Sequence, residues 1–445
     1  MSTPASTVVS VLDHFPTDPA GLPEAVPPQI VELRDGDSYE LRVAPVAKRL
    51  GDTTVRLLAY NGSVPGPQLR VRQGSEIIVT AINDGDTPTT VHWHGLRLEN
   101  RYDGTPHTQV PIPVGGRFTY RVRFPDPGVY WYHPHVRHDY NLEMGSYGAI
   151  VVAPGDEDYW PRVDREVALT LDDFLIENGQ AAPFSRNRTT YAAMGRYGNV
   201  LLVNGESDYS TTARRGEVVR FHLVNTANTR TFNVTFAGAR MKLVGGDSGH
   251  YEFERIVEEV MISPSERAVI DVLFDEPGPV AFEHRTPDHT YVLGAITVAG
   301  EASDPSAARG FGDLRTSDDM VAERHRLAEY LGVEPDKTLE LVAEMDHTLI
   351  PPAEGDTTVA LAAEGDHPFP LGGGAVGRWG GDVGDGGDGG GGGGGGSAGP
   401  PLPQCRRRPR PIASPDRVGR PHGGDEPDVD RCHHALEAGR ARHWR

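Results

Sequence analysis

The ten residues GSEIIVTAIN at positions 74–83 are echoed about 140 residues later by GEVVRFHLVN at positions 216–225. Each segment is a short run of β-branched and apolar residues bounded by turn-forming residues, a pattern typical of a strand. A second echo has an offset of 150, since RVRFPDPGVYWYHPH at 121–135 aligns with DVLFDEPGPVAFEHR at 271–285. The two repeats predict two similar sandwiches in tandem.

Between about residue 40 and residue 300 the chain consists of similar short runs separated by Gly, Pro and Asp. Predicted strands include 76–82, 118–124, 129–132, 218–224 and 268–274. Runs of this length and spacing favour an all-β fold of β-sandwiches over βαβ units.

The chain has 445 residues, which is enough for two or three domains with separate cores. Its formal net charge is −20, and this excess of acidic residues argues against binding to nucleic acid or to an anionic membrane surface. No 18-residue apolar run is present, and the first 13 residues lack the basic start and apolar core of a signal peptide. These features predict a soluble, cytoplasmic protein, or an exported one if the true start codon lies upstream.

Two His-x-His pairs are the candidate functional residues. The first pair, His92 and His94, lies in VHWHG, and the second, His133 and His135, lies in YWYHPH. Alternate residues of a strand point to the same face, so each pair presents two imidazoles together. One isolated pair is more often packed or solvated than bound to metal. Two pairs at strand ends of one sandwich instead predict a site for a borderline metal, copper or zinc.

The second sandwich is not expected to bind metal in this way, because Glu283 and Arg285 align with the second histidine pair, His133 and His135. A zinc hydrolase is the less favoured use of the first-sandwich histidines. Such sites usually combine three protein ligands, a water and a carboxylate base, and nothing in the spacing calls for that arrangement.

Three segments resemble the bacterial and archaeal multicopper oxidases called laccases: HWHGLRLENRYDGTP at 92–106, PIPVGGRFTY at 111–120, and YWYHPH. The resemblance runs over about residues 50–300. It implies cupredoxin-like Greek-key sandwiches, three of them in the family. It also implies a type 1 copper that takes electrons from substrate and a trinuclear copper cluster, between the first and third domains, that reduces dioxygen to water.

The resemblance also implies individual roles. His92 would bind the type 2 copper, and His94, His133 and His135 would bind the type 3 pair. Asp103 stands at the place of an acidic residue that helps deliver protons near the cluster, a role suited to a carboxylate. Asp103-Gly104 is equally an ordinary turn dipeptide, so both interpretations stay open.

Two further histidines, His107 and His138, flank the motifs. We expect structural or surface roles for both.

The predicted organisation has six parts. They are an N-terminal arm (1–40), a first cupredoxin-like domain with the histidine pairs (41–157), a second without metal ligands (158–300), a linker with a short helix (301–337), the incomplete start of a third domain (338–371), and a disordered Gly/Arg/Pro-rich tail (372–445). Thr316 is expected to begin a capping box for the linker helix.

The third domain of the family supplies four more histidines and a His-Cys-His segment whose thiolate binds the type 1 copper. Residues 1–370 contain no cysteine, and Cys405 and Cys432 both lie in the tail. The type 1 site is therefore not identifiable in this sequence. HPFPLGG at 367–373 and CHHALEAG at 432–439 resemble the missing motifs, and chance is the favoured explanation of both resemblances. The abrupt change of composition suggests a reading-frame shift, and a genuine linker-like tail is the alternative.

Three functional hypotheses follow. The first is a laccase-like oxidase that couples one-electron oxidation of phenolic or metal-ion substrates to four-electron reduction of dioxygen, defective here if the type 1 domain is missing. The second is a non-catalytic copper-binding protein of two sandwiches. The third is a two-domain enzyme, like copper nitrite reductase or the small laccases, that completes its cluster across subunits. It ranks last because it needs a cysteine in one of the sandwiches. The expected partners are dioxygen and a small reducing substrate.

Overall fold

A computed structural model describes residues 15–184 and 195–338 of the chain. Its strands are β1 Ile30–Glu32, β2 Ser38–Leu50, β3 Thr53–Tyr60, β4 Gln68–Arg72, β5 Glu76–Asn83, β6 His92–His94, β7 Arg117–Arg123, β8 Gly128–His133, β9 Gly148–Ala153, β10 Arg165–Phe174, β11 Ile176–Glu177, β12 Gln180–Ala181, β13 Val200–Val203, β14 Tyr209–Arg215, β15 Glu217–Asn225, β16 Phe232–Phe236, β17 Arg240–Gly246, β18 Gly249–Val257, β19 Val260–Ile262, β20 Arg267–Phe274, β21 Gly278–Arg285 and β22 Thr290–Ala302. Its α-helices are α1 His138–Glu143 and α2 Asp318–Leu327, and 3₁₀ turns span Asn100–Tyr102, Ala308–Gly310 and Ala328–Tyr330.

Twenty of these strands form two sandwiches, each of two sheets, and β11 and β12 form a separate two-stranded sheet. The first sandwich pairs a sheet of order β1-β4-β9-β8-β6 with a sheet of order β3-β2-β5-β7. The second pairs β13-β10-β15-β20-β17-β18 with β14-β22-β21-β16-β19. The prediction of tandem β-sandwiches is confirmed. The five strands predicted from residue pattern are present, each within one residue at either end.

The sequence repeat corresponds to one strand position in the two sandwiches. β5 lies between a parallel neighbour, β2, and an antiparallel one, β7, and β15 lies in the same way between β10 and β20. Each strand ends at a fully buried asparagine, Asn83 or Asn225. The Nδ2 of Asn83 donates to the carbonyls of Thr87 and Ile112, both at 2.9 Å, and Asn225 makes two equivalent bonds at 2.7 and 2.8 Å. The repeated asparagine therefore fixes the loop after each central strand.

Each sandwich has its own apolar core, and a third apolar cluster joins them. This third cluster combines Val129, Trp131 and Trp160 with Val224 and Val269 of the second sandwich. All six residues of β8 are buried, since one face of the strand packs into the first core and the other faces this cluster. The strand therefore lacks the apolar–polar alternation of a half-exposed strand.

The segment after β22 contains the expected helix, but its cap differs from the prediction. α2 begins after Ser317, whose Oγ accepts a hydrogen bond from Met320 N at 3.3 Å, while Thr316 forms a β-bridge with Phe253. The backbone of Thr316 is thus used by the sheet, and the cap falls one residue later. The predictions for residues 339–445, including the third domain and the tail, lie outside the described residues. None of the helices in the described ranges has the length and apolar character needed to cross a bilayer.

Candidate metal centre

Two adjacent strand ends bring the histidine pairs together. β6 lies antiparallel to β8 with His92 opposite His133 and His94 opposite Trp131. Alternation along each strand places these four rings on one face of the sheet. Trp93, between the two histidines of β6, points to the other face and is buried in the first core.

His135 lies just past the end of β8, and the loop before β6 anchors it. Its backbone N donates to Thr90 Oγ1 at 3.1 Å. Its ring centroid lies 4.6 Å from that of His92 and 5.1 Å from that of His133. The four histidines singled out in the sequence thus form one cluster, which we call the histidine quartet.

Hydrogen bonds to backbone carbonyls fix the tautomers of two of these histidines. His92 Nδ1 lies 2.6 Å from the carbonyl oxygen of Asp103, and His133 Nδ1 lies 3.1 Å from that of Pro134. A carbonyl only accepts, so Nδ1 of each ring carries the proton. The lone pair of each ring is therefore on Nε2, where it is available to a metal.

The donor set of the quartet fits a metal that prefers imidazole, such as copper. Ligand nitrogens of His92, His133 and His135 all lie within 4.8 Å of one another. His94 Nδ1 and His133 Nε2 are 3.2 Å apart. Two nitrogens bound to one metal at about 2.0 Å with tetrahedral angles would be separated by about 3.3 Å, so this pair is spaced to share one ion.

Burial keeps the quartet uncharged. It lowers the pKa of His94 to about 3, with a further contribution from the positive charge of Arg267, and it lowers the pKa of His135 to about 3. Burial also places the pKa of His133 well below its usual value. Neutral imidazole is the form that binds metal, so the rings are ready for a metal at neutral pH.

The Trp131 indole supports two rings of the quartet. Its ring stacks on His133 with a centroid distance of 3.9 Å and on His94 with a distance of 5.0 Å. Trp131 is itself fully buried in the cluster between the sandwiches. The orientation of these two histidines therefore depends on the packing of both domains.

Asp103 lies beside His92, and its backbone makes the closer contact. Its carbonyl accepts the 2.6 Å hydrogen bond, whereas its carboxylate Oδ1 is 3.5 Å from His92 Nδ1 and its side chain is 34% exposed. Gly104 follows with a φ of +76°, and a Cβ there would lie 1.8 Å from the carbonyl oxygen of Val91. This turn thus packs directly against the start of β6.

Of the two flanking histidines, one lies at the cluster. His107 is exposed. The ring of His138, at the start of α1, lies 4.9 Å from that of His133 and 5.6 Å from that of His135. Burial lowers the pKa of His138 to about 4. This position beside the quartet is consistent with a structural role, one of the two expected for His138, and Arg137 before it adopts a left-handed conformation (φ 44°) where α1 begins.

Arg267 of the second sandwich also went unrecognised in the sequence. It donates through Nε to the carbonyl of Val129 on β8 at 3.3 Å, across 138 residues. No local pattern in the sequence points to this contact. The residues aligned with the second histidine pair, Glu283 and Arg285, form an ion pair with each other at 2.7 Å.

The multicopper oxidase family models match residues 43–157 and 155–281 of this chain. These two ranges correspond to the first sandwich and to most of the second.

Similar proteins carry laccase and multicopper oxidase names. Multicopper oxidase MmcO of Mycobacterium tuberculosis is 31% identical over 53% of this chain and 51% of its own. The solved structure of Lac15 from a marine microbial metagenome is 33% identical, with a TM-score of 0.52 over 60% of this chain and 68% of that one. A multicopper oxidase structure from Pseudomonas thermotolerans is 30% identical, with a TM-score of 0.53 over 63% and 66%. The chain spans about half the length of the curated relatives that it matches.

Proposed function

Because this chain belongs to the multicopper oxidase family, we propose that its histidine quartet binds copper and that it acts as a laccase-like oxidoreductase. The reaction would couple one-electron oxidation of a phenolic or metal-ion substrate to reduction of dioxygen to water. The observation that carries the proposal is the convergence of four neutral imidazoles on one sheet face, with two nitrogens 3.2 Å apart.

In this proposal the quartet is the first-domain share of a trinuclear cluster. His92 would bind the type 2 copper, and His94, His133 and His135 the type 3 pair. Bound copper ions supply the electron transfer and the binding of dioxygen. The carbonyls of Asp103 and Pro134 hold Nδ1–H of His92 and His133, so that Nε2 of each ring would be the atom that binds copper.

Asp103 is proposed to carry protons. Its carboxylate is 3.5 Å from a ring of the quartet and reaches solvent, so it can take up a proton from water and hold it near the site where dioxygen is reduced. The carbonyl of the same residue orients His92, so the two functions belong to different atoms and can be separated by mutation.

The second candidate is a copper-binding protein without oxidase activity. It is favoured by the absence of cysteine from residues 15–184 and 195–338, so that no thiolate in the described ranges can bind a type 1 copper. Cys405 and Cys432 lie outside the described residues.

The test is copper content, visible absorption and EPR of the full chain after copper loading, together with oxygen uptake on a phenolic substrate. We expect bound copper in the wild type and its loss in His92→Ala and His133→Ala. His325→Ala, an exposed histidine on α2, is the matched control. Bound copper with oxygen uptake supports the oxidase, and bound copper without uptake supports the second candidate. Copper binding that survives both quartet substitutions would contradict the assignment of the site.

A further inference from the structure

The guanidinium of Arg267 is a buried positive charge at the junction of the two sandwiches. Its side chain is 5% exposed. Besides the bond to Val129 on β8, it donates to the carbonyls of Ser265 at 3.0 Å and Asp247 at 2.9 Å. These contacts fix the charge against the strand that carries His133.

The same guanidinium contacts the strand that carries the first histidine pair. Gly95 directly follows His94, and a Cβ at Gly95 would lie 2.5 Å from Nη2 and 3.3 Å from Cζ of Arg267. The glycine lacks that atom, and the cation therefore reaches the backbone next to His94. Arg267 thus lies against both ligand strands, β6 and β8, although it belongs to the other domain.

The ion partner of Arg267 neutralises it only in part. Asp247 Oδ1 lies 3.0 Å from Nη1, but the Asp247 side chain is 47% exposed and its charge is screened by water. Arginine remains protonated in proteins, and a buried charge is screened far less than an exposed one. The ligand strands therefore experience a net positive field from the second sandwich.

We infer that Arg267 is a positioning residue for the metal centre, and that its charge raises the reduction potential of copper bound at His94 and His133. Cu(II) carries one more positive charge than Cu(I), so a nearby buried cation destabilises the oxidised ion more. The second sandwich, which has no metal ligands in the proposal above, would then tune the copper held by the first. The inference rests on the proposed copper binding by the quartet.

The experiment measures the reduction potential of copper bound to the full chain, from its affinities for Cu(I) and for Cu(II), each determined by competition with a chelator selective for that ion. We expect Arg267→Gln to lower the ratio of Cu(I) to Cu(II) affinity about tenfold, which corresponds to about 59 mV for one electron. Arg267→Lys keeps the charge and should retain most of the potential. Asp247→Asn removes the screened counter-charge and should raise the potential.

The matched control is Arg220→Gln. Arg220 is similarly buried and forms a bidentate ion pair with Asp271 on the same strand as Arg267, and its other hydrogen bonds in the described part of the chain go to Glu166 and Pro161 rather than to β6 or β8. Its removal should leave the potential unchanged.

The outcomes separate the two proposals. A wild-type chain that binds no copper overturns the proposed function and this inference together. Full copper content with an unchanged potential in Arg267→Gln overturns only the inference. Should that variant fail to fold, a potential that stays constant or falls in Asp247→Asn overturns the inference by itself.

Discussion

Replacement of Gly104 by alanine should displace His92 although no candidate ligand is itself replaced. Gly104 has a φ of +76°, and the added Cβ would lie 1.8 Å from Val91 O and 2.7 Å from His92 N. An ordinary carbon–oxygen contact is about 3.3 Å, so the turn that contains Gly104 must move by about 1.5 Å. The atoms in the way belong to the backbone of β6 and the residue before it, and they cannot rotate aside.

Three effects lower the free energy of unfolding of the Gly104→Ala variant. A left-handed conformation costs alanine about 1 kcal/mol, and loss of the hydrogen bond from His92 Nδ1 to the Asp103 carbonyl costs about 1 kcal/mol. Displacement of the packed turn adds a comparable amount. We expect a fall of about 3 kcal/mol in the free energy of unfolding, with weaker copper binding because His92 loses its tautomer-fixing partner.

Gly115→Ala is the matched control. Gly115 has a nearly identical φ of +78°, but a Cβ added there would have no atom within 4 Å. The Gly115→Ala variant should be destabilised only by the left-handed backbone conformation of alanine, by about 1 kcal/mol. Its copper affinity should equal that of the wild type. Urea unfolding of the copper-free proteins and competition with a copper chelator measure the two effects. Equal destabilisation of the two variants, or unchanged copper affinity in Gly104→Ala, would refute the reasoning.

Three further predictions concern pH, proton delivery and the repeated asparagine. The folded copper-free protein keeps His94 and His135 neutral because burial lowers each pKa to about 3, whereas unfolded histidine titrates near pH 6.5. The unfolded chain thus binds more protons between those values, so the free energy of unfolding should fall as the pH drops below about 6.5, and His94→Gln/His135→Gln should flatten the urea-midpoint profile. A profile equally steep in the double variant would contradict this. Asp103→Asn should preserve copper content, because the backbone carbonyl that holds His92 remains, while it slows oxygen uptake; loss of copper in this variant would instead indicate a structural role for the carboxylate. Asn225→Ala should destabilise the protein by about 3 kcal/mol, because it removes the hydrogen bonds from Nδ2 to the carbonyls of Arg230 and Ile262 and the one from Ala227 N to Oδ1; thermal unfolding unchanged from the wild type would contradict the role assigned to the asparagine.

The amino-acid sequence determined the architecture and the quartet because both are encoded over short distances. Strand runs bounded by turns appear in local composition, and the echo of residues 74–83 at 216–225 reveals the tandem sandwiches because the two strands have equivalent neighbours. Alternation along a strand places His92 and His94 on one face whatever surrounds them. His133 is placed by the same rule at the end of β8, whereas His135 lies just past the end of that strand.

Only the tertiary structure decided which residues surround the quartet. The turn at Arg137 directs His138 back to the cluster, and its left-handed backbone has no sequence signature in an arginine. Trp131 stacks on two rings of the quartet because β8 is buried on both faces. Arg267 reaches Val129 across 138 residues and depends on how the two sandwiches pack. Such contacts form between segments whose sequences carry no local trace of each other, so the four histidines could be singled out in the sequence and their surroundings could not.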